Sequence, residues 1–235
     1  MKNKKMILLV LMFAVYIVLI VYSFLHIDSF TSAGKMINNK SVSVVIDPGH
    51  GGEDGGAVAS GVTEKDINLV ISKKLAQYLR LSGINVVMTR SSDVMINSEG
   101  TTLRERKVSD MKNRLDLYNQ SADNIVISVH QNKFCEEQYN GTQVFYSPNN
   151  PGSSQLAENI KNNVRALVQP DNKRECKQAD RNIYLLYNAK APSVLVECGF
   201  LSNPGEAEKL TTDSYQDKIA FAIYTGFMDY FNSKE

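Results

Sequence analysis

Three cysteines in 235 residues are too few for a disulfide framework, and Cys135, Cys176 and Cys198 form no CxxC pair of the kind a thiolate zinc site uses. A single Cys135–Cys176 bridge and a reduced, incidental pair both remain open. Charge of one sign is also lacking. Lys and Arg number 26 against 25 Asp and Glu, for a formal net charge of +1, and no basic stripe runs along the chain. Nothing here would collect phosphates, so nucleic acid is not an expected partner. The GxSxG elbow of serine hydrolases is missing. The glycines at 49, 51, 52, 55 and 56 do not form a GxGxxG that runs into a helix, and no Walker lysine follows them. They are read instead as positions where backbone passes close to a metal and substrate without a side chain in the way. No internal repeat is found. With 43% hydrophobic residues, the composition is that of an ordinary globular chain with one folded domain.

One long apolar run is present, at residues 6–25. About 20 residues at 1.5 Å each can cross a ~30 Å hydrocarbon core. Lys2, Lys4 and Lys5 precede it, so the positive-inside rule keeps the amino terminus in the cytoplasm and sends the rest across. Residues 1–27 are read as a membrane anchor or signal segment: the run exceeds a signal core, while Thr31, Ser32 and Ala33 offer a cleavage site for the alternative. Residues 28–40, polar with Ser, Asn and Gly, form a tether, and residues 41–235 form the domain. Its expected location is extracytoplasmic.

Within the domain, strand and helix patterns alternate. Strands are expected at 42–46, 84–89, 125–129, 142–146, 183–186 and 194–196. Helices are expected from the face carrying Ile67, Val70, Ile71, Leu75, Tyr78 and Leu79, and over 103–119, 153–168 and 215–231. This alternation predicts an α/β fold: a mostly parallel, twisted sheet with helices on both faces. Ligands of such folds gather at the carboxyl ends of the strands.

That rule selects residues. His26 borders the apolar run, whereas His50 and His130 each fall just past a predicted strand. A lone histidine is more often structural, but two at one sheet edge suit a catalytic zinc site, which takes three protein ligands and leaves a position for water. The third ligand should be a carboxylate. Glu53, Asp54 and Glu64 all lie near enough, and spacing does not choose between them. Glu197, after the apolar 193–196, is a carboxylate at the end of a buried strand; such a group is paired, metal-linked or catalytic. Asp47 and Asn132 are candidates to support the histidines.

Four ordered segments then resemble the zinc-dependent N-acetylmuramoyl-L-alanine amidases of the type 3 group. They are VVIDPGHGGEDGGA at 44–57, Glu64 with the start of its helix, SVHQN at 128–132, and VLVECGFLSN at 194–203. Gln131 and Cys198 depart from the family's usual residues without removing a catalytic group. The resemblance implies Zn2+ held by His50, Glu64 and His130, with Glu197 as the catalytic residue. It implies hydrolysis of the amide between N-acetylmuramic acid and L-alanine in peptidoglycan, releasing stem peptides. The compact layout is similar to that of germination-specific amidases acting on spore cortex, a layout that short vegetative wall amidases share. Two alternatives stand beside it: a zinc peptidase of wall stem peptides, which the same residues would serve, and a peptidoglycan-binding module without catalysis, against which the intact His50, Glu64, His130 and Glu197 count. An exported wall hydrolase has reason to be restrained, so an activating protein partner is an expectation. The polar loop 133–141 is a candidate substrate-side or partner-side surface, or a plain solvent loop.

Overall fold

Residues 42–59 and 61–234 are described by a computed structural model, together with Met6, Met12 and 15–17 near the amino terminus. The chain divides into two units, Met1–Asn38 and Asn39–Glu235, and everything below concerns the second. Among the described residues no helix is long and apolar enough to cross a membrane. The apolar run on which the anchor expectation rests lies largely outside the described residues.

β-branched residues make the central strands, and their burial on both faces leaves near-continuous apolar runs. Strand β1 is Ser43–Pro48, β4 Asn85–Met88, β5 Ile125–Asn132 and β8 Ser193–Phe200. These four pair in parallel in the order β4-β1-β5-β8. Strand β6 (Gln143–Tyr146) then pairs antiparallel with β8, and the two-residue β7 (Lys177–Gln178) finishes that edge. A separate hairpin joins β2 (Val58–Ala59) to β3 (Val62–Thr63).

Three helices share one face: α1 (Glu64–Leu81) and α3 (Gly152–Leu167) pack onto the sheet, and α6 (Asp213–Asn232) packs against both. Ile71, Leu75, Leu79, Leu156, Ile160 and Phe227 are wholly buried there. Truncating any one of these to alanine would cost about 2–5 kcal/mol. The other face carries α2 (Leu103–Tyr118) and the short α4 (Tyr184–Asn188), with Tyr118 packed against Val45, Val126, Ala189 and Ala191. A small helix α5 (Pro204–Leu210) follows β8, capped by Asn203 with proline at its start.

The expected α/β architecture is therefore present, with local differences; the β2–β3 hairpin, β7 and α5 lie outside the expected elements. Residues 183–186, expected as a strand, lie in the turn and helix of α4. Only Leu186 is buried among Tyr184–Asn188, and the Asp180 carboxylate caps the preceding turn through the Asn182 N–H at 2.9 Å. A short apolar run does not distinguish helix from strand by periodicity. Strands β5 and β8 also run past their apolar stretches, so His130 and Glu197 are strand residues rather than loop residues. All three cysteines are free thiols, so Cys135 and Cys176 are not bridged.

Candidate metal centre and active site

The site is assembled where α1 begins. Thr63 does not cap that helix with its side chain; instead the Glu64 N–H donates to the Ala57 carbonyl at 2.9 Å and the Lys65 N–H to that of Gly55 at 3.2 Å. Donors left over at a helix start are thus used to dock the glycine-rich loop. The β2–β3 hairpin returns the chain between them. Its effect is to bring Glu64 beneath the two strand-end histidines.

His50 Nε2 lies 3.3 Å, and His130 Nδ1 2.9 Å, from the same Glu64 oxygen, Oε1. The two imidazole rings meet edge to face with centroids 5.0 Å apart. One ligand atom from each of the three residues falls within 4.8 Å of the others, so the group can hold a metal ion. The other Glu64 oxygen accepts from the Ala57 N–H at 2.7 Å, while Oε1 also receives the Gln131 N–H at 3.1 Å and the Asn68 amide at 3.3 Å. Asn68 is itself held by the Gln131 side chain and the Gly49 carbonyl.

Room for this convergence depends on two glycines. A Cβ at Gly49 would sit 2.2 Å from the His130 ring, and one at Gly56 2.5 Å from Glu64 Oε2 and 2.6 Å from the His50 ring. Gly56 also has φ +68°, which side-chain-bearing residues rarely adopt. His50 itself has φ 64°. Such a conformation costs on the order of 1–3 kcal/mol and persists only when its surroundings hold it. Here Asp54 accepts from His50 Nδ1 at 2.9 Å, and Arg114 donates to the His50 carbonyl at 2.7 Å.

The electrostatics follow. Burial alone would push the Glu64 carboxyl up, but its hydrogen bonds to His130 and His50 outweigh that and hold it well below the usual range. For His50 burial works downward, and Asp54 and Glu64 overcome it, raising the imidazole to about 9. A cation entering between these donors takes the place of that proton. Glu197 is different. Burial dominates and raises it to about 7, and its Oε2 is shut from solvent with no hydrogen-bond partner. Its register partner across β5–β8 is His130, so the two side chains share a sheet face. Glu197, half-buried overall, thus sets one enclosed and unpartnered carboxylate oxygen beside a His-Glu-His group that can hold a cation.

Of the three acids that spacing left open, Glu64 joins the histidines, Asp54 braces His50 and salt-bridges Lys107 at 2.7 Å, and Glu53 pairs outward with Arg106. Asp47 does not touch either imidazole. It is fully buried and accepts from Thr89, Tyr118, Ser128 and Arg114, so it supports His50 only through Arg114. Asn132 ends β5 and lines a neighbouring cleft. Two arginines escaped sequence reasoning. Arg114 bridges Asp47, Asp110 and the Pro48 and His50 carbonyls, and Arg90 clamps the carbonyls of Pro48, Gly49 and Lys65. Nothing in the sequence marks either as buried, since arginine inside a helix or after a strand ordinarily faces water.

Fold and site define an α/β enzyme with a three-donor metal cradle at the carboxyl ends of parallel strands. The chain belongs to the N-acetylmuramoyl-L-alanine amidase family, whose model matches residues 44–229. It is 36% identical to the germination-specific N-acetylmuramoyl-L-alanine amidase of Bacillus subtilis, covering 99% of this chain and 97% of that protein. Among solved structures it is similar to the CwlD amidase from Clostridioides difficile in complex with the GerS lipoprotein. That match has a TM-score of 0.78 and 39% identity, over 81% of this chain and 98% of the other. An N-acetylmuramoyl-L-alanine amidase from Clostridium difficile 630 matches with TM-score 0.72 and 32% identity over 84% of this chain and all of its own.

Proposed function

We propose that this chain hydrolyses the amide between N-acetylmuramic acid and L-alanine in peptidoglycan, with His50, Glu64 and His130 holding Zn2+ and Glu197 moving the proton. Family membership supports the reaction. The observation that carries the residue roles is Glu197 Oε2, a buried carboxylate oxygen with no partner next to a His-Glu-His cradle. Two imidazoles and one carboxylate are a common catalytic zinc set. When bound, zinc supplies a Lewis acid that polarises the amide carbonyl and makes water acidic near neutral pH.

The chain's own groups do the rest. With its carboxyl raised to about 7, Glu197 can take a proton from water as carboxylate and return it to the leaving amine nitrogen as acid. Asp54 holds His50 Nδ1, leaving Nε2 as the inward donor. Glu64 keeps its charge because His130 and His50 hydrogen-bond it, with the Ala57 and Gln131 N–H groups and the Asn68 amide as further donors. Residues 41–235 form the catalytic domain. Residues 1–27 tether it, through the segment 28–40, on the outer side of a membrane, and the substrate is the wall of the spore cortex. The match to a germination-specific relative along nearly the whole of both chains supports that setting. An activating protein partner fits the same reading, because the CwlD structure holds a lipoprotein.

The test is mass spectrometry of defined peptidoglycan treated with zinc-loaded and zinc-stripped protein. The expected products are intact stem peptides with a free L-alanine amino group, from the loaded protein only. Shortened stem peptides would identify a peptidase instead.

A further inference from the structure

Beyond Glu197 the sheet face stays open, and what lines it is not neutral. Register places Gln143 opposite Glu197 and Phe145 opposite Leu195, with Lys177 opposite Phe145. Register partners share a face, so Glu197, Gln143, Phe145 and Lys177 line one surface that runs from the metal cradle to the β7 edge. At ~4.8 Å per strand and ~3.3 Å per residue, two strands and two residues separate Lys177 from Glu197 by about 12 Å. A cleft of about 310 Å3 lies on the Gln143, Phe145 and Lys177 part of this surface, next to Glu197. Asn132, two residues after His130, lines its inner end.

Phe134 and Tyr139 from the loop 133–141, with Phe200 of β8, make an aromatic wall of the same cleft. Phe134 meets Tyr139 edge to face at 5.0 Å, and Tyr139 lies 6.3 Å from Phe200. Phe134 is 53% exposed, a large apolar surface turned to solvent beside the site. Arg174 lies over this wall with its guanidinium 4.5 Å from the Phe200 centroid and 5.9 Å from that of Tyr139. Its Nε is fixed on the Asn140 carbonyl at 2.7 Å, and its two terminal nitrogens have no acceptor among the described residues. The nearby acid Glu206 feels the Arg174 charge without hydrogen-bonding it, its oxygens accepting from the Gly141 and Phe200 N–H groups. Several other bases of this domain have carboxylate partners, among them Lys65 with Asp93, Lys107 with Asp54, and Lys161 with Glu158 and Glu175. Among the described residues no carboxylate pairs with Arg174 or Lys177.

We infer that this cleft is the subsite for the peptide side of the substrate, with Arg174 and Lys177 receiving its carboxylates and Phe134, Tyr139 and Phe200 covering its backbone. The inference rests on the proposed amidase reading, which puts the scissile nitrogen at Glu197. The chemistry separates the two halves of such a substrate: the sugar chain offers mainly hydroxyl and acetamido groups, whereas a stem peptide carries carboxylates. Three to four extended residues span the distance from Glu197 to Lys177. A planar guanidinium held on an aromatic face, with both outer N–H edges free, suits a carboxylate.

Two readouts test it. Calorimetric titration of zinc-loaded Glu197→Gln protein uses a synthetic stem peptide, L-Ala-γ-D-Glu-L-Lys-D-Ala, and its fully amidated form, so binding is read whether or not the chain cleaves. Arg174→Gln in that background should weaken the acidic peptide about tenfold, and Lys177→Gln about threefold. Neither should move the amidated peptide. In the otherwise wild-type enzyme both changes should raise KM for muropeptide and leave kcat near its original value. Acidic-peptide affinity within twofold of the parent in both variants, or equal binding of the acidic and amidated peptides, would overturn the subsite. Absence of cleavage by the wild-type enzyme with the charge-dependent binding intact would instead count against the amidase reading alone. Lys177 is exposed at the sheet edge, so its variant gives a result even if Arg174→Gln disturbs the loop.

Discussion

Two polar clusters sit side by side under the carboxyl ends of β1 and β5, and they differ in how completely their hydrogen-bonding capacity is filled. In the first, Asp47 is buried and accepts on both oxygens: from Thr89 and Arg114 on one, from Tyr118 and Ser128 on the other. Arg114 spends its remaining donors on Asp110 and on the Pro48 and His50 carbonyls. In the second, His50 and His130 converge on one oxygen of Glu64, and Glu197 Oε2 beside them has nothing to bond. A saturated cluster holds shape; an unsaturated one next to it is kept open for something that is not protein. The first thereby explains how the second survives, since Arg114 and Arg90 pin the backbone from Pro48 to His50 in its strained path.

Breaking the saturated cluster should produce the largest stability effect. Arg114→Met leaves Asp47 charged and buried without its cation, and is expected to cost about 3–5 kcal/mol in denaturant unfolding. A loss under 1 kcal/mol would mean that the cluster is not what holds the β1 end. Acid acts on the same group with a smaller effect. Burial raises the Asp47 carboxyl, but Arg114, Thr89 and Tyr118 outweigh it and hold the group below the usual carboxylate range. The folded chain therefore binds fewer protons than the unfolded chain in that window. The stabilisation is fully present above about pH 4 and is lost as pH falls through the depressed value. Unfolding free energy measured from pH 6 to pH 2 should fall less steeply in Asp47→Asn than in the wild type; identical slopes would contradict this. Smaller still for stability is Asp54→Ala, which removes the brace on His50 and a half-exposed ion pair with Lys107. Zinc affinity, read by competition with a chelator, should weaken about 10–100-fold, with the unfolding midpoint little changed.

The comparison also marks what could be read from the sequence. Alternating strand and helix patterns are enough for the sheet and its helical faces, because each central strand carries an apolar stretch, Val44–Ile46 in β1, Ile125–Ile127 in β5 and Val194–Val196 in β8. His50 and His130 stood out by position, and Glu197 by following an apolar strand. The third carboxylate did not. Choosing Glu64 over Asp54 or Glu53 depends on the β2–β3 hairpin, whose two-residue strands leave no periodic trace, and on loop carbonyls that dock onto the start of α1. Only family resemblance pointed to Glu64. Arg114 was hidden for a related reason: on α2 it reads as one more surface base, and its partner Asp47 lies 67 residues away. Long-range pairing of polar groups has no local signature, so the cluster that holds the site in shape was the part least legible.

The claim that the unsaturated cluster is the reactive one meets its most direct test in Glu197→Gln, compared with wild type for bound zinc and for release of stem peptides from defined peptidoglycan. Removing the acid without changing its size should leave about one zinc per chain, still bound by the unchanged donors. Release should fall by about 10²–10⁴-fold. Release at the wild-type rate, with zinc in place, would contradict the account and move the proton to another group.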